Sequence, residues 1–234
     1  MDRRTFVKGA AALPALAAMG VSGAGGLAEL APIALPKPRL AGAKTLLAAL
    51  KSRRTTRDIS PEPLPLETLS NLLWAAFGVN RTETLLMGKP GRTAPSASNS
   101  QEIDLYVCLE QGVYLYEATP HRLVPVAAGD FRSRAGRQPG MGKAPATIFY
   151  VVDLTRYVTG KGQPDPWIGQ AEVQKSYYYT DIGFIAQNVY LYAASEALAA
   201  WFHNCDKERT PRDFKLKPEQ RVLFAQSVGY PAKR

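Results

Sequence analysis

Apolar positions along the chain recur with two different periods. In "AKTLLAALKSRR", Leu46, Leu47 and Leu50 fall at helical spacing and predict a short helix that runs into a basic cluster. "SPEPLPLETLSNLLWAAFGVN" carries a second helix. Its face is Leu66, Leu69, Leu72, Leu73, Ala76 and Phe77, and Gly78 supplies the stop. The period then shortens. Residues 103–109 read as a strand, and "GVYLYEATPHRLVPV" as a hairpin turning at Thr119-Pro120-His121. Residues 146–154, "ATIFYVVDL", are apolar enough for a fully buried central strand, and residues 221–229 form a closing strand. "FRSRAGRQPGMGKAP" reads as a basic loop or short helix. From about Ala171 to Ala200 a long helix is predicted, with apolar residues around most of its circumference, as in a central, most buried helix. Strands separated by helices, with one hairpin, predict an α+β fold with a central mixed or antiparallel sheet flanked by helices. There is no internal repeat.

With 234 residues, the chain has room for one domain with a full core. Its 46% hydrophobic and 21% charged content are globular values. The formal charge of +9 raises the question of nucleic acid. Outside "KSRRTTR" the basic residues are scattered, and no stacking aromatics alternate with them, so a nucleic-acid partner is not expected. No stretch of the body is apolar enough to span a bilayer, so stable membrane insertion is not expected either.

"MDRRTFVKGAAALPALAAMG" resembles a twin-arginine export signal. Arg3 and Arg4 match the pair, Phe6 the apolar position, Lys8 the following base, and an Ala/Gly-rich segment of weak hydropathy follows. The reading is a signal peptide over 1–28 with cleavage near Gly26-Leu27-Ala28, a Pro-rich extended lead-in over 29–43, and one domain over 44–234. Location is then periplasmic or otherwise exported. That route carries proteins already folded, often with a cofactor inside, so a bound cofactor is expected. "GAGGLA" (residues 23–28) fits a loose dinucleotide fingerprint, but no strand precedes it and it is set aside. Cys108 and Cys205 could pair in an oxidising compartment; they read more simply as two unpaired small hydrophobes. With His121 in a turn and His203 near the end of the long helix, they offer no metal-binding spacing.

Three stretches carry chemistry. Arg53, Arg54 and Arg57 present guanidinium forks suited to a phosphate, with Thr55 and Thr56 as hydroxyl donors beside them. A basic helix end that complements its dipole is the plainer account, but needs fewer charges. In "RTAPSASNSQ", Pro95, Ser96, Ala97, Ser98, Asn99 and Gln101 crowd short polar groups before a strand. They could edge a flat ring with alternating carbonyl and imide groups, or simply close a turn. In "DIGFIAQNVYLYAASEAL", Asp181, Gly183, Gln187 and Asn188 interrupt an apolar helix, either as a buried polar network or where another backbone or ligand comes close.

In order and spacing these stretches resemble the nitroreductase family of flavoproteins. "RRTTR" is similar to its R-R-S/T-x-R motif, "PSASNSQ" to P-S-x-x-N-x-Q, the helix to D-x-G-x-x-x-Q-N-x-x-L-x-A, and "VGYPAKR" to a closing G-Y-P plus base. "LLWAAFGVNR", "RTAPSAS" and "GVYLYEATPHRL" resemble the SagB-type branch. The resemblance implies a nitroreductase-like fold and FMN held non-covalently at a homodimer interface. Arg53, Arg54, Thr55 and Arg57, with Lys233 or Arg234, would hold the phosphate and the ring's carbonyl edge. The loop from Pro95 to Gln101 would line the ring, partly from the partner subunit. No catalytic residue beyond the flavin and no metal is implied. The activity implied is two-electron hydride transfer by a ping-pong mechanism on a small-molecule substrate, with an unknown electron donor; a flavin-holding or redox-partner module without turnover is the alternative. Two departures matter. "ALAAWFHNC" replaces A-L-G-L-G, with Trp201 or Phe202 filling space. Lys175 and Tyr177 are not adjacent, so azoline dehydrogenation is not implied.

Overall fold

The computed structural model describes residues 30–233 except 40, 42–43, 87, 139–140, 159–160 and 164–165; the signal-peptide reading over 1–28 lies outside them. At the centre is a sheet whose strands bury both faces. Its middle members are β4 (Ile103–Leu109) and β7 (Ala146–Asp153), and β7 is buried at every position. Because successive side chains point to opposite faces, Ile148, Tyr150 and Val152 of β7 join one core cluster, and Phe149 and Val151 join the other.

β4 leads into a hairpin of β5 (Gly112–Glu117) and β6 (Arg122–Ala128). β6 is flanked by a short β1 (Ile33–Ala34), formed by the Pro-rich segment. On the other side of β7 come β9 (Gln220–Gly229) and the edge strand β8 (Ala199–His203). The order is β1-β6-β5-β4-β7-β9-β8, antiparallel throughout. A separate hairpin that the sequence did not suggest, β2 (Val79–Leu86) with β3 (Lys89–Arg92), leads into the polar loop.

The helices α2 (Leu66–Phe77) and α3 (Ala171–Ser195) cover one face. α1 (Leu46–Ser52) begins at Thr45, whose hydroxyl accepts from Ala48 N at 3.2 Å. α2 buries the predicted face except Leu66, which stays exposed. It stops at Gly78, where a Cβ would lie 2.7 Å from the Trp74 carbonyl oxygen. α3 is the long helix, and a one-turn α4 (Thr210–Asp213) precedes β9.

Two expectations are corrected. The long helix ends at Ser195, not Ala200. Glu196 N donates to Tyr192 O and Leu198 N reaches back to Ala193 O at 2.8 Å, while Ala197 takes a left-handed φ of 57°. That is a Schellman stop made without glycine, and it frees Ala199–His203 to become β8, so His203 sits on a strand. Second, α3 is not buried all round. Tyr178, Asp181, Ile182, Ile185, Ala186, Val189 and Ala193 face inward, whereas Tyr177, Tyr179 and Phe184 are exposed. The short helix α1 forms as expected and buries only Ala49; Leu46, Leu47 and Leu50 are 63%, 77% and 47% exposed. Helical spacing groups these leucines on one side without saying that this chain covers it.

Cys108 and Cys205 are both free thiols packed in or against the second core cluster. Burial pushes the Cys205 thiol up to about 12.

Candidate functional site

The backbone of the arginine cluster is held at three points. After α1 the chain becomes extended at Arg53. Thr56 N then donates to Ala200 O on the edge strand β8 (3.0 Å), and Ala232 N to Asp58 O (2.9 Å). Ile59 bridges Pro231, so the segment is clamped between β8 and the C-terminal tail.

This clamp opens a cavity of about 920 Å³ whose wall includes Lys44, Arg54, Thr55, Arg57, Asp58 and Tyr190. Its cations outnumber Asp58, and the Thr55 and Thr56 hydroxyls and backbone add donors, a combination suited to an anion. Arg57 is also shared with a neighbouring cavity of about 990 Å³, which has Trp201, Phe202 and His203 in its wall and Arg137 and Lys207 among its charged residues. There the Arg57 guanidinium carbon lies 5.5 Å from the centre of the Trp201 ring. Both volumes are at the upper end of the range for small-molecule sites.

The predicted residues divide. Arg54, Thr55 and Arg57 line the cationic cavity. Arg53 turns its guanidinium over the Tyr190 ring at 5.4 Å. Lys233 is exposed in an adjoining groove formed by residues 59–62 and 230–233. Arg234 lies outside the described residues.

The loop from Pro95 to Gln101 lines neither of these two cavities. Its polar groups first serve its own shape. Ser98, Asn99 and Gln101 have left-handed φ of 50°, 52° and 53°, unusual for side-chain-bearing residues. Gln101 is buried: its Oε1 accepts from Arg92 Nε at 2.8 Å, and its Nε2 donates to Pro90 O at 2.6 Å and Asn99 Oδ1 at 2.9 Å. Ser96 Oγ accepts from Gln101 N, and Ala97 N donates to Asp181 Oδ2 at 3.1 Å. Pro95 and Ser98 remain exposed, with Ser96, Ala97 and Asn99 half-buried.

Beneath the loop, Asp181 of α3 meets Glu102, and both are almost wholly buried. Glu102 Oε2 accepts from Ser100 Oγ at 2.6 Å, but Oε1 has no donor. Burial beside a second carboxyl disfavours the charged form of Asp181. Desolvation first, and Glu102 second, push Asp181 up to about 8, against a pull downward from the Ala97 amide. Tyr157 lies beside both carboxyls and is pushed upward, first by burial, and Lys89 lies near Glu102, with burial holding its ammonium below the ordinary value. The sign follows. An acid whose folded value is raised loses stability as pH climbs from its ordinary value of 3.8 towards 8, because the unfolded chain releases the proton first. Thermal melts between pH 4 and 9 are therefore expected to show a falling contribution that Asp181→Asn removes. The asparagine still accepts from Ala97 and can donate to Glu102. An unchanged slope in the variant would assign the pH dependence elsewhere.

The other helix polar groups separate. Asn188 Nδ2 reaches Ala76 O (3.4 Å) and Thr93 O (3.3 Å), tying α3 to α2 and the loop. Gln187 and Gly183 are exposed, and nothing of this chain lies within 4 Å of a Cβ built on Gly183. His121 is a structural histidine between Ser70 Oγ (2.7 Å) and Tyr116 Oη (2.9 Å). Lys44 and Tyr190 line the cavity but were not legible beforehand. The one signal was a phenol inside an apolar helix, which needs a partner for its hydroxyl.

The nitroreductase family profile matches residues 50–230. A nitroreductase-type protein of Methanocaldococcus jannaschii is 28% identical over 190 residues, or 77% of this chain and 88% of that one. A nitroreductase-type protein of Ralstonia eutropha JMP134, solved by crystallography, superposes with a TM-score of 0.76 at 34% identity, over 87% of this chain and 90% of that one. The NADPH:FMN oxidoreductase of Vibrio harveyi, solved with NAD+, shares the fold at a TM-score of 0.57 and 18% identity, over 80% of this chain and 69% of that one. With most of its length matched and the same antiparallel sheet flanked by helices, the chain belongs to the nitroreductase family of oxidoreductases.

Proposed function

We propose that the protein is an exported, FMN-dependent oxidoreductase of the SagB-type branch that works as a homodimer. One observation carries the cofactor reading: two cavities meet at Arg57, one cationic and rich in hydroxyls, the other walled by aromatic rings. A molecule with a phosphate at one end and a flat ring at the other fits that pair. Lys44, Arg54 and Thr55 would hold the phosphate, and Arg57 would face the ring's electron-rich edge beside Trp201. When bound, FMN supplies two-electron hydride transfer, serving a donor and an acceptor in turn through one site. The protein's part is to orient the ring, exclude water and place the Arg57 charge where negative charge develops. Donor and acceptor are small molecules of unassigned identity.

The dimer reading rests on three features. The flavin-lining loop of the sequence analysis stands apart from the arginine cavity of its own chain. Large apolar side chains on α1 and α3 are exposed. Gly183 lies open on that outer face of α3, where a second backbone could approach. The export reading rests on "MDRRTFVKG" alone.

The test is direct. The chain, purified without added flavin, is expected to be yellow and to release about one FMN per chain on heating, from a particle of twice the chain mass. A colourless monomer that takes up no added FMN would sink both parts.

A further inference from the structure

The wall between the two cavities contains a side chain with no role so far. Tyr190 lies on α3 and lines the cationic cavity. Its ring lies under the Arg53 guanidinium at 5.4 Å. Its hydroxyl receives the Phe202 backbone N–H at 2.9 Å and stands 3.0 Å from Thr55 Oγ1. One phenol thus joins the segment that follows α1 to the strand whose Phe202 forms part of the second cavity's wall.

Of the two contacts, the one with Phe202 has a fixed direction, and it leaves the phenol hydrogen available to Thr55. The Phe202 amide can only donate, so the Tyr190 oxygen accepts there. The phenol's single hydrogen is then free for the acceptor beside it, Thr55 Oγ1. A threonine that accepts from Tyr190 keeps its own hydrogen for another partner. The cavity it faces is flanked by Lys44, Arg54 and Arg57, where an anionic oxygen would gather. Arg53, drawn onto the ring, holds Tyr190 from the other side of its hydroxyl contacts.

We propose that Tyr190 is a positioning residue that orders Thr55 as a donor to the phosphate end of the cofactor while fixing β8 as the wall of the ring end. This rests on the FMN reading above. It assigns to one hydroxyl a coupling between two parts of the site that no sequence motif connects.

The test uses the full chain with Tyr190→Phe, Thr55→Val, their combination, and Thr55→Ser. Affinities for FMN and for riboflavin, which lacks the phosphate, are read from quenching of flavin fluorescence. Tyr190→Phe and Thr55→Val are each expected to weaken FMN about 5-fold, the scale of one hydrogen bond. The double variant should be no worse than the poorer single, and Thr55→Ser should stay near wild type. Riboflavin affinity should not move in Thr55→Val, and in Tyr190→Phe, where the ring-end wall is loosened, it should fall by less than FMN affinity does. Amide exchange adds a readout independent of flavin: the Phe202 N–H should lose protection in Tyr190→Phe and keep it in Thr55→Val. Additive effects, an equal loss for riboflavin, or unchanged Phe202 exchange would each overturn the proposal. A wild-type chain that binds no FMN would overturn it too, but through the failure of the flavin reading, which the wild type alone reveals.

Discussion

Arg57→Ala is expected to weaken FMN binding by about 100-fold, as a hydrogen bond to a charged group at roughly 1.5–3 kcal/mol and an exposed cation–π contact at roughly 0.5–1 kcal/mol imply together. Arg57 belongs to both cavities and lies over Trp201, so its loss removes a charge from the cationic wall and uncovers the indole. It is an exposed side chain, so the fold should barely notice. Arg57→Lys should fall between, because an ammonium keeps the charge but neither the fork nor the flat face. Arg122→Ala is the control: it breaks only a surface pair with Glu117 and should leave affinity unchanged. Fluorescence titration of the apoprotein reads all three. A loss below threefold for Arg57→Ala would remove this residue from the site.

Gln101→Leu should act on the fold, lowering stability by about 3 kcal/mol and the melting temperature by roughly 6–12 °C for a chain of this size. The buried Gln101 amide answers Arg92 Nε, Pro90 O and Asn99 Oδ1 together. Leucine fills comparable volume but leaves those groups buried without that partner, and each orphan costs about 1–3 kcal/mol. Arg92 keeps only its second bond, from Nη1 to Phe77 O at 2.8 Å. Gln101→Glu should recover little, since a carboxylate can accept from Arg92 but cannot donate to Pro90 and Asn99. Urea denaturation measures the difference; a loss under 1 kcal/mol would mean that water replaces the amide. The result bears on function because the same amide holds the 95–101 loop in the shape presented to its surroundings.

Period-two patterns were legible with little error. β4 has the boundaries read from the sequence, the hairpin and central strand are where the alternation put them, and β9 begins one residue earlier than expected. The alternation is written by local geometry, so no distant partner is needed to read it. β8 was illegible because its boundary is set by a left-handed alanine, a conformation that composition does not announce. The exposed leucines of α1 mark a similar limit: periodicity identifies a side of a helix, and only packing identifies its cover. The polar loop was legible in its composition and not in its geometry. Its donors and acceptors suggested a ligand edge, and Gln101 points inward where three left-handed residues, Ser98, Asn99 and Gln101, redirect the chain.

The sequence by itself determined the fold class, the strands β4 to β7 and β9, and the chemical character of the arginine cluster, because strand periodicity and the guanidinium's charge are properties of short stretches. Tertiary structure alone decided which arginine does what. Arg54 and Arg57 face cavities and Arg53 lies on Tyr190 because residues 53–60 are clamped between β8 and the C-terminal tail, elements about 140 to 170 residues away in the chain. The raised Asp181 carboxyl has the same origin. Each carboxylate alone is ordinary, and only the packing of α3 against the start of β4 brings the two together, out of water, where both cannot stay charged.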